Sequence, residues 1–417
     1  MSEGTSLNFV DVFAGCGGLS LGLLNSGWKG RFAVEKNPDA FATLDANLIS
    51  HPRSSNKFHW PDWLPKQASD ISGVLNNYSS ELTELRGTID LLAGGPPCQG
   101  FSLAGRRSNL DPRNKLTEEY IRLVKVMLPR MLLIENVRGF NLAFKKSSKD
   151  DQGVAYSEKV ASELESCGYR VFSSMVDLSR FGVPQRRRRF ILIAIRKGDV
   201  ALTKLGSLTP FEYLEKRRTR FLSDKGLPTN RTVSAQEAIG DLEVKGTTLI
   251  DCNDSAMGGF KQIKYSPTYS SEYIRLMRGR RTTAPDSLRL PRHSEVTKVN
   301  FELVMTTCEK GKAISGTDRD RLGIKKQALT PLSASLPSAT VTTLPDDIIH
   351  YSEARILTAR ENARLQSFPD NFKFLGKYTT GGKNRRNECP RYTQIGNAVP
   401  PLFAEAVGRM LKELAKS

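Results

Sequence analysis

Between residues 7 and 195 the chain alternates short apolar runs with longer amphipathic stretches, and this pattern more than any other limits what it can fold into. The apolar runs lie at residues 7–13, 31–34, 89–93, 131–134, 171–176 and 190–195, each of strand length. Between them, Glu118 to Leu128 carries apolar residues at helical spacing until Pro129 ends the pattern. Strands alternating with helices exclude a helical bundle or a β-sandwich. They predict an α/β fold of the doubly wound class, a parallel sheet covered by helices. That domain is expected over residues 1–200. From Ala201 to Leu336 the sequence turns polar and turn-rich, so a smaller, irregular domain is expected over 201–384. Helical pattern returns over Ser352 to Phe368. It appears again over Asn397 to Lys416, and the segment 385–417 is expected to complete the first domain.

Open α/β sheets bind ligands outside the carboxyl ends of their strands, and several of these ends carry chemistry here. The first strand runs into Asp11-Val12-Phe13-Ala14-Gly15-Cys16-Gly17-Gly18, a turn whose glycines let a ligand approach the backbone. Ser20 stands where G-x-G-x-x-G requires its last glycine, which argues against a nicotinamide-dependent oxidoreductase. The next strand ends at Glu35, a carboxylate suited to two ribose hydroxyls, and together they indicate a nucleoside-containing cofactor. The third strand enters Gly94-Gly95-Pro96-Pro97-Cys98-Gln99-Gly100-Phe101-Ser102, with a thiol on a proline-braced loop. The fourth ends in Glu135-Asn136-Val137. Pro184-Gln185-Arg186-Arg187-Arg188-Arg189 precedes the last strand, and alternation would place Gln185, Arg187 and Arg189 on one side. The six cysteines form no C-x-x-C pair and there are four histidines, so neither a metal site nor a disulfide framework is expected.

Phe13-Ala14-Gly15-Cys16-Gly17-Gly18, Gly95 to Ser102, Glu135-Asn136-Val137, Gln185 to Arg189, Arg360-Glu361-Asn362-Ala363-Arg364 and Gln394-Ile395-Gly396-Asn397-Ala398-Val399-Pro400-Pro401 resemble, in order, the motifs of DNA (cytosine-5)-methyltransferases of the bacterial modification type. The resemblance spans residues 13 to 401. It implies a Rossmann-like S-adenosylmethionine-dependent methyltransferase domain and a target-recognition domain. The implied reaction moves a methyl group to carbon 5 of a flipped-out cytosine in a specific duplex sequence, leaving S-adenosylhomocysteine. Carbon 5 is a poor nucleophile, so Cys98 would first add to carbon 6. Protonated Glu135 would donate to ring nitrogen 3 and Arg189 would contact the carbonyl oxygen, with Arg187 and Gln185 in support. By motif position, Phe13, Gly15, Gly17, Glu35, Asp70, Ile71, Pro97, Leu116, Asn397 and Val399 would hold the cofactor. Relatives often place an aromatic or apolar residue after the ribose-binding carboxylate; this chain has Lys36.

The charge agrees with a polyanionic partner: 62 Lys and Arg against 44 Asp and Glu leave a net +18. Ser102, Arg106 and Arg107 follow the nucleophile in a basic stretch resembling the family's DNA-closing loop. The clusters Lys216, Arg217, Arg218 and Arg278, Arg280, Arg281 are expected on phosphates rather than base edges. Double-stranded DNA is the expected partner, with a cognate restriction endonuclease alongside, and a monomer is expected. No run approaches ~18 apolar residues and Met1-Ser2-Glu3-Gly4 lacks a secretory signal, so no membrane partner and a cytoplasmic, nucleoid-associated location are expected. The competing readings are a transfer-RNA cytosine-5 methyltransferase and a non-catalytic DNA-binding relative. The second would be expected to lack Cys98 or Glu135.

Overall fold

The computed structural model describes residues 6–51, 57–96, 114–142, 155–254, 257–266, 269–281, 283–326, 328–379 and 388–416. Two compact units emerge. The first comprises Met1–Asp177, Arg188–Arg217 and Ala404–Ser417, the second Leu178–Arg187 and Arg218–Phe403.

The first unit is built on six strands: β1 (Asn8–Val12), β2 (Lys29–Val34), β3 (Leu91–Gly94), β4 (Met131–Asn136), β5 (Tyr169–Asp177) and β6 (Arg188–Arg196), in the order β2-β1-β3-β4-β6-β5. β1 pairs in parallel with β2 and β3, and β3 with β4. The sheet is not wholly parallel, as the sequence pattern had suggested: β6 runs antiparallel to both β4 and β5. A parallel return needs a crossover of about a dozen residues or more, and only residues 178–187 separate β5 from β6. β4 reads Met-Leu-Leu-Ile with every one of those residues buried, because helices cover both faces at the centre of the sheet.

Helices α1 (Gly18–Asn25), α2 (Pro38–Leu44), α3 (Ile71–Asn77), α4 (Ser79–Glu84), α5 (Asn114–Met127) and α6 (Tyr156–Ser166) connect these strands. On one face Val10, Val12, Phe32, Val34, Leu92, Leu132 and Ile134 meet Ile71 and Val74 of α3, Tyr120, Val124 and Met127 of α5, and Val160 and Leu164 of α6. Each such side chain contributes roughly 1.5–3 kcal/mol on burial. The chain then runs through α7 (Val200–Leu205) and α8 (Pro210–Asp224), and it closes with α15 (Pro401–Ala415). Trp28 Nε1 donates to Gly408 O at 2.8 Å, fastening α15 beside α1. The expected helix from Asn397 begins instead at Pro401, since proline suits the first helical position and cannot continue a helix begun earlier.

The two compact units meet in the chain at Arg217/Arg218 and at Phe403/Ala404. Tyr213 and Arg217 of α8 bind Glu413 at 3.1 Å and 2.5 Å, which extends the first unit to Arg217. Only residues from Ala404 onward return to it, while 385–403 go with the second unit.

The second unit contains α9 (Ala235–Ile239), α10 (Glu272–Arg278), α11 (Glu295–Thr307), α12 (Gly316–Leu322), α13 (Ala359–Leu365) and α14 (Arg391–Asn397), with the two-stranded pairs β7 (Leu249–Asp251) with β8 (Lys261–Ile263) and β9 (Thr330–Pro331) with β10 (Ile348–Ile349). α13 is wholly buried although it carries Arg360, Glu361 and Arg364. The helical pattern seen over Ser352 to Phe368 contracts to this single element. Thr358 and Glu361 form a capping box at its start, and Ser367 adopts a left-handed φ of 61° just past its end.

The buried charges of α13 are paired. Arg364 donates to Asp370 at 2.5 and 2.7 Å and to Asp241 at 3.2 Å, Arg355 binds Glu361 at 2.7 Å through both nitrogens, and Arg360 pairs with Asp286. Removing one member leaves a buried charge without a partner, so Arg364→Met is expected to destabilise the chain by ~3–5 kcal/mol in thermal or urea unfolding. Burial raises the Asp370 carboxyl, but the hydrogen bonds and charge of Arg364 outweigh it and hold it below the ordinary value. A depressed carboxyl stabilises the fold above its unfolded value of ~3.9 and loses that contribution as pH falls through the folded one. Unfolding temperature should therefore drop as pH falls below about 4, with a shallower drop in Asp370→Asn.

Candidate active site

The parallel strands β1 to β4 bring their carboxyl ends to one edge of the first unit. Beyond β1 the chain enters left-handed backbone at Phe13 (φ 60°), Gly15 (φ 57°) and Gly17 (φ 96°). Such a conformation at a phenylalanine costs roughly 1–3 kcal/mol and is found where a site demands it. Ala14 N donates to Val34 O at 3.1 Å, and Glu35 clamps the turn by accepting from Gly15 N at 2.8 Å and from Asn37 N at 2.7 Å. Burial raises the Glu35 carboxyl while these backbone donors pull it down, and the net position is above the ordinary value. Ser69 N donates to Glu35 O at 2.8 Å, which brings Asp70 and Ile71 to the end of β2. Asp70 caps α3 by accepting from Gly73 N at 2.7 Å. Ile71 is buried in the core and Leu116 packs partly buried against the same cluster. Lys36 is exposed.

A nucleoside cofactor fits these residues. A Cβ built on Gly15 would meet nothing within 4 Å, so the glycine faces open space beside a carboxylate already fixed by two backbone donors. Both Glu35 oxygens retain lone pairs for hydroxyl donors.

At the end of β4, Glu135 pairs with Arg189 of β6, Oε1 to Nε at 2.9 Å, with both side chains largely buried. Gly95 lies against this pair: a Cβ there would stand 3.3 Å from Glu135 O and 3.5 Å from its Oε2. Asn136 Nδ2 donates to Pro96 O at 3.1 Å, and its Oδ1 accepts from Val137 N at 2.8 Å. The backbone two residues before Cys98 is thereby fastened to the carboxylate-bearing strand end. Pro97, Cys98, Ser102, Arg106 and Arg107 lie outside the described residues. Asn136 and Gly95 are contacts that the sequence reading did not assign, although both stood inside motifs it quoted.

Gln185 and Arg187 belong to the second unit, and β6 begins at Arg188. Both are buried in a scaffold network. Gln185 donates to Leu365 O at 2.8 Å and accepts from Val341 N at 3.0 Å; Arg187 donates to Val341 O and Gly396 O, each at 3.0 Å. Arg187 also donates to Ala398 O at 3.2 Å, and Gln366 to Ile395 O at 2.6 Å, so the carbonyls flanking Asn397 are held while Asn397 itself is exposed and Val399 is buried.

The basic clusters divide as well. Arg217 stacks on Tyr213 and pairs with Glu413, while Arg218 donates to Thr229 O at 3.2 Å. Arg278 and Arg281 hold the loop after α10 by donating to Arg281 O and to Thr283 O. Lys216 and Arg280 are exposed. Among the described residues no group of His, Cys, Asp or Glu could hold a metal ion, and no helix is long and apolar enough to cross a membrane.

The model of the C-5 cytosine-specific DNA methylase family matches residues 7–413. The chain is 30% identical to Type II methyltransferase M.DdeI of Desulfomicrobium norvegicum over 97% of this chain and 88% of that protein. It is 29% identical to Type II methyltransferase M1.HphI of Haemophilus parahaemolyticus, over 98% and 87%. The fold is similar to a putative DNA modification methyltransferase encoded within an Escherichia coli prophage, with a TM-score of 0.65, 22% identity and coverage of 99% of this chain and 100% of that one. The chain belongs to the C-5 cytosine-specific DNA methylases, enzymes that use S-adenosylmethionine to methylate carbon 5 of cytosine in DNA.

Proposed function

We propose that this enzyme methylates one cytosine within a specific duplex sequence, through a covalent adduct with Cys98, as the modification partner of a restriction endonuclease. The observation that carries the residue roles is the Glu135–Arg189 pair at the end of β4, with Gly95 packed against it and Pro96 tied to Asn136. The Cys98 thiolate adds to carbon 6 of the flipped base, forming the sulfur–carbon bond, while a proton passes by way of Glu135 to nitrogen 3 as negative charge develops there. Arg189 stabilises the carbonyl oxygen as charge develops there, and its contact with Glu135 fixes both groups before the base arrives. S-adenosylmethionine supplies the methyl group that carbon 5 takes up. Water removes the carbon 5 proton, the electron pair of that bond restores the carbon 5–carbon 6 double bond as Cys98 leaves as thiolate, and nitrogen 3 returns its proton to Glu135. Phe13, Gly15, Glu35, Asp70 and Leu116 hold the cofactor at the ends of β1 and β2. Of the basic residues described, the exposed Lys216 and Arg280 remain the candidates for phosphate contacts.

Bisulfite sequencing of DNA from cells carrying the gene is expected to show one cytosine of one short sequence modified. Methyl label entering structured RNA alone would remove the DNA reading. Cys98→Ser is expected to abolish methyl transfer and the covalent adduct with 5-fluorocytosine DNA, while cofactor binding by calorimetry persists; an active variant would dismiss the nucleophile. Glu35→Gln replaces an acceptor of the Gly15 and Asn37 donors with an amide and should weaken cofactor binding by about tenfold or more, as expected for hydrogen bonds to a charged group.

A further inference from the structure

The turn between β1 and α1 is held from two sides by two carboxyls, and the proposed cofactor site uses only one of them. Glu35 clamps it from β2. The other, Asp11, stands on β1 two residues before Phe13 and is 1% exposed. Its Oδ2 accepts from Ser20 Oγ of α1 at 2.5 Å, bridging the strand and the helix on either side of the turn, whereas among the described residues its buried Oδ1 has no hydrogen-bond partner. Among the described residues, the titratable groups acting on Asp11 are Glu35 at the end of β2 and Tyr120 of α5, whose hydroxyl donates to Leu92 O of β3 at 3.2 Å. Neither is a cation. A buried carboxylate with one oxygen unbonded and a second carboxylate nearby is electrostatically incomplete.

We propose that Asp11 is a positioning residue that couples its own proton to the charge of the cofactor: neutral, it presents no charge to the turn, and ionised, accepting from Ser20, it lays a negative charge behind the turn that favours S-adenosylmethionine over S-adenosylhomocysteine. The inference rests on the placement of the cofactor at this turn. The substrate form carries a sulfonium cation and the product form a neutral thioether, while the amino acid and nucleoside parts are common to both. A charge behind the turn is therefore read most directly in the ratio of the two affinities.

The geometry places the switch in a usable range. Burial first, and the Glu35 charge in addition, raise the Asp11 carboxyl to about 7 against the lowering effect of Ser20. Below that pH the group is neutral and does not discriminate. Above it the anion favours the cationic form, so preference for substrate over product rises with pH.

Calorimetric titration of the intact protein with S-adenosylmethionine and with S-adenosylhomocysteine, from about pH 6 to about pH 8.5, tests this coupling across the Asp11 value. The affinity ratio is expected to shift toward the substrate by about tenfold across the range, the size of one partly screened charge interaction. Asp11→Asn should give a ratio independent of pH. Ser20→Ala leaves the carboxyl in place but removes a donor to its ionised form, so the same rise should appear at higher pH; this variant also serves if Asp11→Asn does not fold. A flat ratio in the wild type, or an unchanged rise in Asp11→Asn, would overturn the proposal. Glu35→Gln separates the two readings: unchanged cofactor affinity there sinks the placement of the site. Weakened affinity in that variant with a flat wild-type ratio sinks only the role of Asp11.

Discussion

β1 is hydrogen-bonded in parallel on both sides, to β2 and to β3, and that pairing is the constraint on which the site depends. Parallel strands finish at the same edge, so the Phe13 turn, Glu35, Gly95 and Glu135, far apart in sequence, come to one rim. Their local conformations are costly. Phe13 is held in left-handed backbone and two carboxyls, Asp11 and Glu35, are buried near each other. The apolar core around β1, β3 and β4 offsets those costs.

The second unit solves a different problem with charge. α13 buries two arginines and a glutamate, each answered by a carboxylate or guanidinium at hydrogen-bonding distance. Hydrophobic replacements of similar size would often be as stable, so such pairs contribute through the uniqueness of their arrangement as much as through energy. In a unit made mostly of short helices and strands of two or three residues, geometric specificity of this kind sets which segments meet. Arg187 and Gln366 act in the same way, bonding to the carbonyls on either side of Asn397.

Much of this was legible in the residues. The six strands fall within a few positions of the apolar runs, because strand burial in a central sheet demands unbroken apolar sequence. Glu35 and the glycine turn were recognisable for the same reason: φ above zero and a carboxylate at a strand end leave a clear signature. Elements governed by distant partners were not recognisable. The helix expected over Ser352 to Phe368 contracted to Ala359–Leu365, and the helix expected from Asn397 begins at Pro401. Periodicity reports which side of an element is apolar and nothing about where the element stops.

The sequence by itself determined the class of fold, the ordered motifs and the family, since these depend on local pattern and on residue types that the chemistry requires. Only the tertiary structure decided which charges are spent. Arg217 is taken by Glu413 and Arg364 by Asp370 and Asp241, while Asp11 is left with an oxygen that nothing among the described residues bonds. A charged residue has the same identity whether paired, solvated or poised to titrate. Its energy depends on the groups that folding brings within a few ångströms, and those contacts arise between residues from 6 to 196 positions apart.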